Sequence, residues 1–225
     1  MNALLARYGH LAALALLVFW NTLLVWCRFQ MTDKRVFIFF LWNLFLAIVP
    51  YLSSEAAGHF SKRKKRAAAI GLVLLAVLFL PNSPYIITDF FHLRQRAEMP
   101  LWFDTMLIFS LAISGLALFY VALFNIRDLL ARWLGSVVAE IFVGLISFLS
   151  AFGIYLGRYL RFNSWDVISN PNILFEEIAD RFINPSVHTR TVGMTLLYGA
   201  FLLVGYWVAR LFRGQRNELV EVVAL

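Results

Sequence analysis

The stretch Lys62–Leu93, KRKKRAAAIGLVLLAVLFLPNSPYIITDFFHL, decides the fold. Five consecutive cations, Lys62-Arg63-Lys64-Lys65-Arg66, pass directly into the apolar run Ala67–Leu80, which ends at Pro81-Asn82-Ser83-Pro84. A helix rises about 1.5 Å per residue, so Ala67–Leu80 covers about 21 Å. The hydrocarbon core of a bilayer is about 30 Å thick. The missing length must come from beyond the prolines. Each proline removes a backbone donor and disturbs the carbonyl four residues back. Freed carbonyls at membrane depth are tolerated only where protein or a wet cavity satisfies them. The stretch therefore predicts a membrane helix with a cationic entry and a break at Pro81 and Pro84.

The rest of the chain follows the same pattern. Of 225 residues, 61% are hydrophobic and 15% charged, and the mean hydropathy is +0.75. A soluble domain uses about 45–50% apolar and about 25% charged residues. The excess falls in long runs at Tyr8–Cys27, Val36–Ser53, Ala67–Leu80 with its continuation, Trp102–Phe124, about Val137–Leu160 and Thr191–Leu211. The expected fold class is all-α, a polytopic transmembrane helix bundle of about six spans forming a single domain over residues 1–225. No internal repeat or linker interrupts it.

The five-cation run sets the expected orientation, because cytoplasmic loops concentrate Lys and Arg. The cytoplasmic side then holds Arg7, Lys62–Arg66, Arg127, Arg132, Arg210, Arg213 and Arg216, and both termini. The remaining arginines fall outside, among Asp89, Glu98, Asp166, Glu176, Glu177 and Asp180. The net charge of +7 is thus flanking charge, not a nucleic-acid surface; no nucleic-acid motif accompanies it. Cys27 is the single cysteine, which excludes an intrachain disulfide and a cysteine zinc site. Trp26 beside it does not suit a signal peptidase, which takes small residues there.

Two segments outside the spans carry polar pattern. Asn170-Pro171 opens an expected helix near 171–183, with proline in the first turn. There Leu174, Ile178 and Phe182 lie opposite Glu176, Glu177, Asp180 and Arg181, as in an interfacial helix. The second is Tyr85–Gln95. On a wheel of 100° per residue, Ile86, Ile87, Phe90 and Phe91 fall on one side. Tyr85, Thr88, Asp89, His92 and Gln95 fall on the other.

Other polar groups reach the same expected level: Asp104 in the first turn of the fourth span, Arg158 and Arg161 one turn apart ending the fifth, then Asn163, Ser164 and Asp166. Asn43 is expected about seven residues below the outer end of its span. Ionisable groups at membrane depth are costly and mark function by default. The candidate roles are Asp89 or His92 as base or metal ligand, Asp104 as second carboxylate, and Arg158 and Arg161 as a bidentate clamp for phosphate or carboxylate. Asn43, Asn82, Tyr85, Asn163 and Asp166 are candidate substrate contacts. His92 with two carboxylates is a conceivable divalent-metal site. Structural readings stand beside these: Asp89 or Asp104 paired with Arg158 as a helix lock, Asn43 as an interhelical hydrogen bond, and His92 as an interfacial side chain. Glu140 is expected at the cytoplasmic boundary. None of the common catalytic signatures occurs.

Three stretches carry a resemblance: Leu41–Tyr51 (LWNLFLAIVPY), Leu80–Leu93 (LPNSPYIITDFFHL) and Ile154–Asp166 (IYLGRYLRFNSWD). Together they resemble the bacterial integral-membrane family catalogued as domain of unknown function 1361. The resemblance implies a multi-span protein of the bacterial cytoplasmic membrane and carries no activity. Three functions remain open on the residues alone. The first is an outer-face enzyme acting on a lipid or lipid-linked anionic substrate, with the bilayer as its other partner. The second is a small transporter, since a broken helix is also a carrier's device. The third is a non-enzymatic assembly subunit.

Overall fold

The computed structural model describes residues 3–32 and 37–223, with side chains at 9, 11–32 and 37–213. The described residues form helices and turns without a strand; one isolated bridge pairs Arg96 with Met99. Six helices are long and apolar enough to cross a membrane. The protein is thus a multi-pass helical membrane protein. Its chain divides into two compact units, residues 1–126 and 127–225.

The first unit holds α1 (Ala3–Thr32), α2 (Phe39–Lys62), α3 (Arg66–Phe79), the short α4 (Asn82–Tyr85), a 3-10 segment (Ile86–His92) and most of α5 (Leu101–Leu134). The α2–α3 hairpin packs on small residues. Ala47, Ala57, Ala69 and Ala76 are fully buried, which lets the two helices approach closely. Its tip closes α2 with Lys64 in the left-handed conformation at φ +60°. The Lys64 N–H donates to the Ser61 carbonyl at 2.9 Å and the Lys65 N–H to that of Phe60 at 3.0 Å. That pairing satisfies the last carbonyls of the helix.

The break at Pro81 is where the sequence places it, and the Val77 carbonyl that Pro81 leaves without its helical donor takes the Leu80 N–H at 3.4 Å. Asn82 Nδ2 donates to the Phe79 carbonyl at 2.8 Å. The Ser83 N–H donates to the Leu80 carbonyl at 3.1 Å, and the Tyr85 N–H to the Pro81 carbonyl at 3.0 Å. Ser83 Oγ donates across to the Ala47 carbonyl of α2 at 2.9 Å. On the other side the break rests against Gly115 of α5. A Cβ at that position would lie 2.3 Å from the Ser83 carbonyl oxygen, so only glycine fits.

The second unit holds the end of α5, then α6 (Ser136–Tyr155), a π-helical turn (Leu156–Leu160), α7 (Asp166–Ser169), α8 (Pro171–Ile183) and α9 (Thr189–Val223). α6 packs on α9, where Gly199 meets the Phe148 ring. At one end Glu140 accepts from Arg127 Nη2 at 2.8 Å and from the Tyr206 hydroxyl at 3.0 Å. Arg210 pairs with it at 2.8 Å. The expected boundary carboxylate is thus the centre of a charge network joining α5, α6 and α9. α8 forms where the Pro171 signal predicts it.

Several sequence boundaries need correction. α1 continues past Cys27 to Thr32 and carries Arg28 inside the helix. α5 continues past Phe124 to Leu134. Its polar Asn125, Arg127 and Asp128 interleave with buried Ile126, Leu129 and Leu130, so an amphipathic face prolongs the helix. α2 starts at Phe39, which puts Asn43 one turn from the helix end instead of about seven residues in; Val36 lies outside the described residues.

Candidate functional site

The polar residues of the first unit gather where the ends of α1, α2 and α5 meet the 3-10 segment. The wheel for this segment fails for a geometric reason. A 3-10 helix advances about 120° per residue instead of 100°, so Ile86, Asp89 and His92 stand in one row. Ile86, Thr88 and Asp89 are all fully buried, while Phe91 is 54% exposed. The apolar and polar sides expected from the α-helical period therefore interleave.

Asp89 lies within this row with its carboxylate at hydrogen-bond distance from α2. Asn43 Nδ2 donates to its Oδ2 at 3.0 Å. One turn on, the half-buried His92 sets its ring edge against Phe39, with centroids 5.2 Å apart. Asn43 thus meets Asp89, and His92 follows one 3-10 turn later in the same row.

Asp104 is held differently. Arg28 Nε donates to its Oδ1 at 2.7 Å and Arg28 Nη2 to its Oδ2 at 3.1 Å. Arg96 Nη1 adds a third contact at 3.3 Å. The side chains of Arg28 and Asp104 are 3% and 1% exposed. Both guanidinium groups also stand over the Phe37 ring, at 4.0 and 4.9 Å. Arg96 Nη2 reaches the His92 carbonyl at 3.3 Å, which ties the ion pairs to the row above. Asp104 is therefore paired with Arg28 and Arg96, where the sequence had offered Arg158. A forked guanidinium takes both carboxylate oxygens, and the arrangement locks α1, α5 and the loop before α5. Arg28, Arg96 and Phe37 were missed as site residues. The available signal was Arg28 directly after one apolar run and Asp104 at the start of another.

Asn82 spends its amide on the Phe79 carbonyl, and the Tyr85 carbonyl accepts from the Thr88 hydroxyl at 2.6 Å. Among the described residues no three His, Cys, Asp or Glu side chains are grouped to hold a metal ion. The conceivable His92 site with two carboxylates is therefore not formed; Asp104 faces guanidinium groups instead.

In the second unit, Arg158 is half-buried in the π turn, while Arg161 is exposed and left-handed at φ +61°. The two do not form the one-turn helical pair the sequence suggested. Asp166 is buried and organises its own loop. Its Oδ2 accepts the Asn163 N–H at 2.6 Å, and its Oδ1 accepts from Ser169 at 2.9 Å and Asn170 at 3.0 Å. The Asn163 N–H, against a smaller effect of burial and with help from Asn170 and Ser169, holds this carboxyl below the usual carboxylate range. Asn163 and Asp166 thus act on each other to shape the turn before α7.

A search of curated proteins and a search of solved structures find no match. The family model described as protein of unknown function (DUF1361) matches residues 42–204, a stretch that contains the Asn43–Asp89 contact, the broken helix, Asp104 and the Asp166 loop. The chain belongs to that family.

Proposed function

We propose that the protein is an enzyme of the bacterial cytoplasmic membrane, with both termini inside, acting at the outer face on a lipid or lipid-linked anionic substrate. The observation that carries this reading is the Asp89 carboxyl, fully buried beside a helix break and hydrogen-bonded by the Asn43 amide. A carboxyl in low dielectric is costly, and such groups within a membrane bundle mark chemistry by default. Asp89 would serve as the general base, with Asn43 fixing the carboxylate and His92 the neighbouring titratable group. The 3-10 winding of Ile86–His92 supports access, because such segments recur at hinges. Arg96, with a side chain 22% exposed, retains donors for an anionic group. The expected result in cells is a lipid product that accumulates with wild type and is absent with Asp89→Asn at equal protein level. Identical lipid profiles for the two would sink the proposal.

A second reading, a non-enzymatic assembly subunit, is favoured by the doubly paired Asp104, which is a lock between helices. Full function in vivo with Asp89→Asn would select it.

A further inference from the structure

Toward its Lys62 end, α2 carries a carboxylate with no charge to answer it. Glu55 lies within the span Phe39–Lys62, seven residues before Lys62, about 10 Å along the helix. Asn125 of α5 donates through Nδ2 to Glu55 Oε1 at 2.8 Å and to Ser54 Oγ at 3.2 Å. Among the described residues no Lys, Arg or His pairs with Glu55, and its Oε2 receives no donor. A carboxylate inside a span is costly unless it is paired, and a neutral amide supplies no charge.

A second unanswered group stands beside it. Tyr51 precedes Glu55 by four residues, one turn away on the same face of the helix. It is 4% exposed, and its hydroxyl has no hydrogen-bond partner among the described residues, although Glu55 lies within its electrostatic reach. Buried unsatisfied groups in a native fold call for a missing partner. Ser54 Oγ donates to the Tyr51 carbonyl at 2.8 Å and keeps one lone pair beyond the contact with Asn125. The cluster thus offers a phenolic oxygen, a serine oxygen and a carboxylate oxygen, which together carry one negative charge. Glu55 is exposed, so the cluster opens to the surface there.

We infer that Tyr51, Ser54 and Glu55, braced by Asn125, form a binding site for a monovalent cation, taken as a free alkali ion or as the ammonium of a lipid headgroup. One carboxylate among neutral oxygens balances one positive charge, whereas a divalent ion would leave an excess charge within the span. Alkali ions exchange hydration oxygens for protein oxygens, and an ammonium donates to the same acceptors. Asn43, which holds Asp89, lies twelve residues before Glu55 on α2, about 18 Å along the helix. The cation site therefore makes no use of the role given to Asp89.

The test is equilibrium binding to the purified full chain in maltoside, with bulky tetraethylammonium as the supporting cation. The probes are radiolabelled sodium ion and, separately, phosphatidylethanolamine followed by native mass spectrometry. Wild type is expected to bind one equivalent saturably. Sodium binding assigns the site to a free ion, and lipid binding that displaces sodium or occurs without it assigns the site to a headgroup ammonium. Glu55→Gln, which keeps an acceptor for Asn125, and Tyr51→Phe are each expected to weaken binding about ten-fold, as loss of a bond to a charged group does. Glu176→Gln, at an exposed acid of α8, is the control and should bind as wild type does. Without either probe, Tyr51→Phe should unfold at the wild-type temperature, since the hydroxyl it removes makes no hydrogen bond. The bound probe should raise the midpoint of wild type and not that of Glu55→Gln or Tyr51→Phe. Wild-type affinity in either variant, or no saturable binding of either probe to wild type, overturns the inference.

Discussion

Replacing Asp104 by leucine should be among the most damaging single changes in the first unit. Two hydrogen bonds, at 2.7 and 3.1 Å, bind Arg28 to it, and both side chains are almost fully buried. Removing the carboxylate strands the Arg28 guanidinium in a low-dielectric setting. Breaking a buried pair by deleting one partner costs about 3–5 kcal/mol, which is about two to four decades in the folding equilibrium. Arg96 can turn to solvent, since its side chain is 22% exposed, so the loss comes mainly from Arg28. The double variant Arg28→Met with Asp104→Leu removes both charges, and a buried pair replaced by apolar groups is often neutral or stabilising. The pairing therefore predicts a double variant markedly more stable than Asp104→Leu alone. Reversible unfolding in maltoside micelles titrated with dodecyl sulfate, followed by circular dichroism, measures both. A cost below about 1 kcal/mol for Asp104→Leu, as an exposed pair would give, would refute the reasoning; so would strictly additive single costs.

Two further outcomes follow from the packing and the loop. Gly115→Ala should destabilise by about 1–3 kcal/mol, as overpacking does, because its Cβ would meet the rigid Ser83 carbonyl; an unchanged unfolding midpoint contradicts this close approach. Folding lowers the Asp166 pKa, so its stabilising contribution is complete above the usual carboxylate range and is lost as pH falls through the lowered value. Hydrogen exchange over residues 163–170, corrected for intrinsic rates, should show protection lost at acid pH in wild type, and Asp166→Asn should remove that dependence. Protection that is flat with pH in wild type would contradict the assigned hydrogen bonds.

The spans were legible because long apolar runs leave few alternatives, and the break at Pro81 was legible because proline chemistry is local. What escaped was set by tertiary packing or by a change of helical period. Asp104 finds Arg28 across 76 residues of sequence, a pairing no local pattern encodes. The 3-10 winding of Ile86–His92 rearranged the row containing Asp89, which a wheel drawn at the α-helical period does not anticipate. Arg161 was misplaced because its left-handed φ ends the π turn. The length of α1 was underestimated because Arg28, buried against Asp104, looks like a span end, and that of α5 because Asn125, Arg127 and Asp128 on its polar face do.

The most direct test of the account is turnover by the purified protein in lipid nanodiscs made from a bacterial lipid extract, followed by mass spectrometry of the lipids over time. Wild type is predicted to convert one class of anionic lipid, with Asp89→Asn equally stable and at least a hundred-fold slower, the scale of a lost general base. Turnover by Asp89→Asn equal to that of wild type, or no lipid changed by a folded wild-type protein, would contradict the assignment of Asp89 as the working group.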